Sequence, residues 1–279
     1  MLTWRHLALS LYGSRDPRVS WVKSMVGHRA ILVHDFEESN RRGMLDGGSR
    51  YLLTFDVFKR GLEEAIDHGI AFDEIGGPDP RTSGRVEITS DDGGGSALLL
   101  AEYLSARGLR ATFFVVTDWI GMEKFLGVEE IRAIHSMGHV VGSHSHTHSG
   151  PFCDLSEVQL RHEVLESRAV LREVLGIEVD AFSVPGGEIL PTTIRRLESP
   201  DLGLSRIYTS TPRQGVYRSR ATASVIGRYC IEARMGQAKI FRVLSGRGWG
   251  RNRMRYLAGR VKREIWKNVS VGGGRGRDT

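Results

Sequence analysis

The 279-residue chain is 40% hydrophobic, which is enough to bury the core of one large domain or two small ones, and no Pro- or Ser-rich linker divides it. Its two cysteines, Cys153 and Cys230, lie far apart and outside any C-x-x-C pair, which argues against a disulfide framework and a thiolate zinc site. The net charge is +6, and the positive charge is concentrated in residues 241–279, which contain eleven Lys or Arg and only two acidic residues.

The N-terminal residues 1–27 are expected to form an extension ahead of the folded domain. Residues 1–21 alternate charges with short apolar pieces and contain no apolar region of signal-peptide length. No stretch approaches the roughly twenty apolar residues of a membrane span. We therefore expect a cytoplasmic protein, with the inner face of the membrane as an alternative location.

Strand-like and helix-like runs alternate through residues 28–235, which predicts one α/β domain with a largely parallel sheet covered by helices. Buried strands are predicted at Arg29–Val33, Val86–Thr89, Ala111–Val116, His139–Val141, Ala181–Val184, Arg206–Thr209 and Ser224–Ile231. Helices are predicted at Asp56–His68, Ala97–Arg107 and Glu129–Met137. Another helix follows the capping box of Ser156 and Gln159 and ends at Gly176, and its charged residues are expected to face water.

The C-terminal residues 236–279 are predicted to form a basic helix and a disordered tail, with disorder expected over Gly272–Thr279. Clustered arginines can hold nucleic acid, anionic lipid headgroups or an acidic glycan. No recognition motif accompanies the charge, so we expect no specific nucleic-acid partner. Peripheral membrane contact through the tail remains an alternative.

The first group of candidate catalytic residues follows a strand end in the run T-S-D-D-G, which contains Asp91 and Asp92. Parallel α/β folds gather their active sites where strands give way to loops. Adjacent residues of an extended chain point to opposite sides, so one carboxylate can bind a metal while the other has a different role. Taken alone, D-D-G is more often a turn.

The strongest local signal is H-S-H-T-H, which places His144, His146 and His148 within five positions. Neutral imidazole is the commonest transition-metal ligand in proteins. A helical turn would select His144 with His148, whereas an extended chain would put all three rings on one side. Two histidines with one aspartate form a ligand set that leaves a metal open positions for water and substrate. A surface His-rich loop is the alternative.

The third group is the run V-P-G-G after the strand at Ala181–Val184, where Gly186 and Gly187 let backbone N–H groups approach a ligand and stabilise an oxyanion. By itself this run is only a turn.

In this order and spacing, T-S-D-D-G, H-S-H-T-H and V-P-G-G resemble the polysaccharide deacetylase family, also called the NodB-homology or carbohydrate esterase 4 group. The resemblance covers roughly residues 28–210. The family motifs are T-[FY]-D-D-G, H-[ST]-x-x-H and R-x-P-[FY]-G, and the flanking runs A-T-F-F-V and M-G-H-V-V-G-S-H also fit. The resemblance implies a distorted (β/α)7-type barrel of the NodB-homology kind.

Carried over by position, the resemblance implies that Asp91 is the general base and that Asp92, His144 and His148 hold one divalent metal ion. Zinc is the first choice, with cobalt, nickel or manganese as alternatives. His146 becomes a spacer, and the Gly186 N–H helps to stabilise the oxyanion.

Three departures from the family matter. Ser90 replaces an aromatic residue that binds no metal. Ser183 stands where the family has an arginine that pairs with the base, so that charge is either absent or supplied by another residue. No histidine follows His162, so the family's late general acid is not in its ordinary place.

A circularly permuted subset of the family carries that histidine ahead of the first motif, and the run I-L-V-H-D matches this arrangement with His34 as general acid. A strand-end histidine without a role is the alternative. The similar run Thr54-Phe55-Asp56 lacks the second aspartate and is interpreted as the start of a helix.

The resemblance implies hydrolysis of an N-acetyl group on an amino-sugar-containing carbohydrate, such as a glycan, a lipid-linked sugar or a small glycoside. A deformylase or cyclic-amide hydrolase of the same superfamily is one alternative. A catalytically inactive glycan-binding module is another, because the arginine is missing and the acid is displaced.

Overall fold

A computed structural model describes residues 27–37, 48–77, 85–187, 190–218, 223–256 and 258. Most of the predicted N-terminal extension and the predicted disorder at Gly272–Thr279 lie outside these residues. The described strands are β1 (Arg29–Val33), β2 (Asp35–Phe36), β3 (Leu52–Leu53), β4 (Val86–Ser90), β5 (Ala111–Val115), β6 (Val140–Ser143), β7 (Ala181–Ser183), β8 (Arg206–Thr209), β9 (Val216–Arg218) and β10 (Ser224–Cys230). The helices are α1 (Phe55–Asp67), α2 (Ser96–Ser105), α3 (Val128–Ser136), α4 (Glu157–Leu175), α5 (Pro191–Leu197) and α6 (Gln237–Leu244), and residues 249–256 are also helical.

Seven parallel strands close into a barrel, which confirms the predicted fold class. Their order is β1-β4-β5-β6-β7-β8-β10, and β10 pairs with β1 to complete the ring. β9 runs antiparallel along β10, and β2 and β3 form a separate two-stranded sheet. The first barrel strand, β1, therefore lies between the last one, β10, and β4.

The barrel interior is packed by large side chains that lie opposite small ones. Phe114, Tyr208 and Ile226 form a buried cluster with Ala30 and Ala181. At position 142 only glycine fits, because a Cβ there would lie 2.5 Å from the ring of Phe114. Complementary residue sizes thus let these interior side chains pack closely.

The helices cover the outside of the barrel with their apolar faces. The longest, α4, begins and ends as the sequence predicts. Ser156 accepts a hydrogen bond from the Gln159 N–H, and Gly176 ends the helix in a left-handed conformation with φ of 70°. Helix α1 starts after Thr54, as predicted, but the Thr54 hydroxyl donates to Glu37 and does not cap the helix.

Helices α1 and α6 pack closely together because α1 contains Gly61. A Cβ at that position would lie 2.7 Å from Cγ2 of Ile240 in α6. This contact holds the start of the C-terminal basic segment against the body of the protein. Within the described part of the chain, no helix is both long and apolar enough to cross a membrane.

Candidate active site

The predicted site residues come together at one cavity of about 830 Å³. This cavity lies at the edge of the barrel where the parallel strands end, the usual place for the active site of such a fold. The six predicted residues that line it are His34, Asp91, Asp92, His144, His148 and Gly186. Four different strand ends, those of β1, β4, β6 and β7, therefore contribute to one site.

Asp91 is a buried carboxylate that accepts several hydrogen bonds. The two guanidinium nitrogens of Arg228 lie 2.7 Å from its two oxygens, and the Ser183 hydroxyl donates to Oδ2 at 2.9 Å. Arg228 also donates to the hydroxyls of Ser183 and Thr89. Burial alone would raise the pKa of Asp91, but the charges of Arg228 and His144 lower it below its usual value. The carboxylate is therefore ionised at neutral pH.

Arg228 is not among the site residues that the sequence predicts. This residue lies in β10 and is 0% exposed. A signal was present, because an arginine inside an otherwise buried strand needs an acidic partner to offset its desolvation. The partner itself could not be identified, since it requires knowing that β10 closes the barrel beside β1 and β4.

Asp92, His144 and His148 form a three-residue cluster in which the candidate ligand atoms all lie within 4.8 Å of one another. His144 Nε2 lies 3.3 Å from Asp92 Oδ1, and His148 Nε2 lies 3.8 Å from the same oxygen. His144 Nδ1 donates to the Ser183 carbonyl at 2.9 Å, which leaves the lone pair of Nε2 directed into the cluster. Burial and the neighbouring His144 lower the pKa of His148 to about 4, so its ring is neutral at physiological pH.

The loop after β6 separates the three histidines. Ser145 and His148 both adopt positive φ, 70° and 58°, so the chain is neither a regular helix nor an extended strand. His146 turns away from the cluster, and its Nδ1 lies 2.9 Å from the Thr117 hydroxyl. Among the three rings, only those of His144 and His148 meet at Asp92.

Glu163 of α4 fixes this loop through hydrogen bonds. Its Oε2 accepts the backbone N–H groups of His146 and Thr147, at 3.0 and 2.9 Å, and its Oε1 accepts the Thr147 hydroxyl at 2.6 Å. The expectation that all charged residues of this helix face water is wrong at Glu163, which is 5% exposed. The sequence carried a signal here too, because Glu163 shares the buried face of Leu160 and Val164.

His34 and Gly186 also line the cavity. The His34 ring stacks on Tyr51 with 4.6 Å between centroids, and its Nδ1 is buried with no hydrogen-bond partner among the described residues. Burial lowers the pKa of His34 although Asp92 and Asp91 act to raise it. Gly186 has φ of 67° and lies in a turn closed by a hydrogen bond from Gly187 N to Val184 O.

Comparison with known proteins finds a family match for the central segment. Residues 79–204 match the sequence profile of the family described as polysaccharide deacetylase. Over these residues the chain is similar to the polysaccharide deacetylase family. It contains the aspartate pair, the three clustered histidines and the V-P-G-G run. No curated protein matches the chain at a significant level.

Solved structures of deacetylases share the barrel. A polysaccharide deacetylase from Bacillus cereus is 16% identical, with a TM-score of 0.63 over 78% of this chain and 68% of its own. IcaB from Ammonifex degensii is 21% identical, with a TM-score of 0.61 over 78% and 97% of the two chains. The deacetylase PplD of Streptococcus pyogenes, solved in complex with acetate, is 16% identical, with a TM-score of 0.60 over 77% and 97%. At these sequence identities the likeness concerns the fold alone.

The structure shows what surrounds two departures from the deacetylase motifs, Ser183 and His34. The charge that the third motif would supply at Ser183 comes from Arg228 on β10, and Ser183 adds a hydroxyl to the same carboxylate. His34 ends β1, which lies between β10 and the strand of the aspartate pair. The assignment of the chain to the circularly permuted deacetylases stays a prediction.

Proposed function

We propose that this chain is a metal-dependent hydrolase that removes an N-acetyl group from an amino-sugar-containing carbohydrate and releases acetate. One observation carries the proposal: a carboxylate and two imidazoles converge beside a second, buried carboxylate in a large cavity at the strand ends. The family match over residues 79–204 supports acetyl hydrolysis as the reaction.

Asp92, His144 and His148 would hold one divalent metal ion. Two nitrogens and one oxygen suit zinc, and the same set accepts cobalt, nickel or manganese. The hydrogen bond from His144 Nδ1 to the Ser183 carbonyl fits a ligand histidine, because such a bond fixes the tautomer that presents Nε2. A bound ion would polarise the acetyl carbonyl and lower the pKa of the attacking water.

Asp91 would act as the general base. The Oδ2 atom of Asp91 lies 3.8 Å from His144 Nε2, so the base and the metal-binding cluster share one small space. Asp91 takes a proton from the attacking water as a bond forms between the water oxygen and the acetyl carbon. Arg228 and Ser183 do not react in this step, and they hold the carboxylate in its ionised form and orientation.

His34 would protonate the leaving nitrogen, and the Gly186 N–H would stabilise the negative charge that develops on the acetyl oxygen. When the bond between carbon and nitrogen breaks, the proton from His34 converts the departing nitrogen into a free amine. Because burial lowers the pKa of His34, its resting ring is neutral, and the proton that it delivers would be the one that Asp91 takes from the water and passes on. The products are acetate and the free amino sugar.

Metal content and acetate release, measured together, test the proposal. Purified protein should contain about one divalent ion per chain by inductively coupled plasma mass spectrometry, and His148→Ala should lose most of it. Asp91→Asn should keep the metal but lose acetate release by roughly 10²- to 10⁴-fold, the contribution of a general base. The exposed Asp67 and His68, at the end of α1, supply the matched controls Asp67→Asn and His68→Ala, which should behave as wild type.

Other outcomes would redirect the proposal. Release of formate from a formamido sugar, without acetate release, would make the chain a deformylase. Bound metal with neither product released, although the protein binds an acetylated oligomer, would make it a glycan-binding module. Wild-type activity in Asp91→Asn would refute the assigned base.

A further inference from the structure

One wall of the cavity is strongly basic. Residues 233–256 hold seven Lys or Arg and no Asp or Glu. Five of these cations line the same cavity as the metal-binding cluster: Lys239, Arg242, Arg247, Arg251 and Arg255. Lys239 and Arg242 are three positions apart on α6, and Arg251 and Arg255 are four apart on the next helical stretch, so each pair shares a helix face. We call these five residues the basic wall.

The basic wall is anchored to the barrel. The Trp249 ring packs on Tyr229 of β10 with centroids 5.3 Å apart, and its indole N–H donates to the Val243 carbonyl at 2.9 Å. At the far end, the Tyr256 hydroxyl donates to the Gly187 carbonyl at 3.2 Å. This last contact joins the basic segment to the turn that contains Gly186. The basic wall therefore borders the reaction site.

The positive charge of the basic wall is not neutralised within the described part of the chain. There, none of its five side chains has a carboxylate within ion-pair distance. The acidic residues of the cavity have other neighbours: Glu232 pairs with Arg50 at 2.6 Å, Asp91 pairs with Arg228, and Asp92 lies in the histidine cluster. Like charges held close together repel, and an anionic ligand relieves that repulsion.

We infer that the substrate carries a phosphoryl group, as a phosphate or diphosphate ester of the N-acetylated amino sugar, and that the basic wall binds this group. The inference rests on the proposed deacetylation. Arginine forks match the oxygens of phosphate in bidentate geometry, and five cations exceed what a single carboxylate would engage. A cavity of about 830 Å³ is also large enough for a sugar together with its phosphate ester.

The first experiment measures binding without turnover. Inorganic pyrophosphate is titrated calorimetrically into the full-length protein, into Arg251→Gln/Arg255→Gln and into the control Arg234→Gln/Arg253→Gln. Both double variants lose two charges from the same segment, but Arg234 and Arg253 do not line the cavity. Affinity should fall on the order of ten-fold or more in the first variant and stay within about two-fold of wild type in the control. Equal affinities in the two variants would overturn the inference.

The second experiment compares acetate release from matched substrates. N-acetylglucosamine 1-phosphate, its nucleoside diphosphate ester and its polyprenyl diphosphate ester are set against the neutral methyl glycoside and the carboxylate-bearing N-acetylmuramic acid. The phosphorylated sugars should have kcat/KM on the order of ten-fold or more above the neutral one, and Arg251→Gln/Arg255→Gln should remove most of that difference. The better of the two diphosphate esters identifies a soluble or a lipid-linked source.

The two proposals fail in different ways. Equal kcat/KM for neutral and phosphorylated sugars, or a preference for the carboxylate, would overturn the phosphoryl assignment and leave the deacetylase proposal intact. No acetate from any substrate, with pyrophosphate binding that still depends on Arg251 and Arg255, would overturn the deacetylase proposal and retain the anion site.

Discussion

A buried carboxylate can serve as a base only if it remains ionised and correctly aimed. Burying the ionised Asp91 carboxylate costs roughly several kcal/mol of desolvation free energy, and nearby hydrogen-bond donors must offset that cost. Arg228 supplies a bidentate ion pair at 2.7 Å, and Ser183 supplies a hydroxyl at 2.9 Å. The same contacts leave little freedom for the carboxylate to rotate. We therefore assign Arg228 as a positioning residue for the proposed base.

Arg228→Lys should lower kcat about ten- to hundred-fold, with a small change in KM and in zinc content, because a lysine keeps the charge but not the fork. Steady-state acetate release, together with metal analysis, separates these quantities. Arg228→Ala is less informative, since an unpaired buried Asp91 would cost about 3–5 kcal/mol of stability.

A relocated arginine provides the rescue test for the same role. Ser183→Arg/Arg228→Ser moves the guanidinium to the position that the family motif uses. It should recover part of the activity lost in Arg228→Ser. If Arg228→Lys retained the wild-type kcat, the positioning role would be refuted.

The loop after β6 has an irregular backbone, and its conformation depends on α4. Two of its residues have positive φ, and its backbone N–H groups at His146 and Thr147 are satisfied by one side chain, Glu163. A strained loop keeps its conformation only where its surroundings fix it. Glu163 therefore acts on His148 through the backbone, although it touches neither the proposed metal nor the substrate.

Glu163→Ala should lower zinc affinity by about 10- to 100-fold, the usual effect of removing a group that supports metal ligands. Glu163→Gln should lose less, because its amide oxygen can still accept both N–H groups. Glu166→Ala is the matched control, since Glu166 is an exposed residue of the same helix. Competition with a zinc-binding dye measures the affinities, and equal values for Glu163→Ala and Glu166→Ala would refute the support role.

The strands and helices were largely predictable from the sequence, whereas the long-range contacts between them were not. Strands such as Ala111–Val115 and the helix capped by Ser156 and Gly176 follow from local patterns, which short-range chemistry determines. The proposed ligand set was predicted from motif order and from the resemblance, and the structure brings its three side chains together. The roles of Arg228 and Glu163 depend on contacts 137 and 17 residues away along the chain, which only the closed barrel brings together.

Gly61→Ala tests whether close packing of α1 on α6 matters. The added methyl group would lie within 3 Å of Cβ and Cγ2 of Ile240, which costs about 1–3 kcal/mol and outweighs the gain of up to about 1 kcal/mol in helix propensity. We expect lower stability in urea denaturation. Ile240→Ala removes Cγ2, the nearer of the two atoms, so a double-mutant cycle should give a coupling above about 0.5 kcal/mol, and simple additivity would refute the contact.

Closure of the barrel assembles the site. Pairing of β1 with both β10 and β4 places His34 and Asp91 at adjacent strand ends, with Arg228 on the neighbouring strand β10. A second buried acid, Glu87 of β4, lies deeper in the barrel. It precedes Asp91 by four residues, and side chains an even number of positions apart on a strand point to the same face. β4 thus carries a structural carboxylate, and the proposed base follows directly after the strand.

Glu87 should make the stability of the barrel sensitive to acid. Its Oε1 accepts the hydroxyls of Tyr208 and Thr112, at 2.6 and 3.1 Å, and its Oε2 lies 3.5 Å from His28. Burial alone would raise the pKa of Glu87, but the contacts with His28 and Tyr208 lower it below its usual value. A lowered folded-state pKa adds stability above the unfolded value of about 4.3, and that stability is lost as the pH falls through the folded-state value.

Glu87→Gln removes this titration, so the variant and wild type should differ most near neutral pH and converge in acid. At pH 7 the variant should be less stable by about 1–3 kcal/mol, because an amide replaces a carboxylate that accepts hydrogen bonds inside the barrel. Urea midpoints measured from pH 7 down to about pH 3 should show a steeper loss for wild type than for Glu87→Gln. The exposed Glu166→Gln should follow wild type, and a constant gap between wild type and Glu87→Gln at every pH would show that Glu87 is not ionised in the folded barrel.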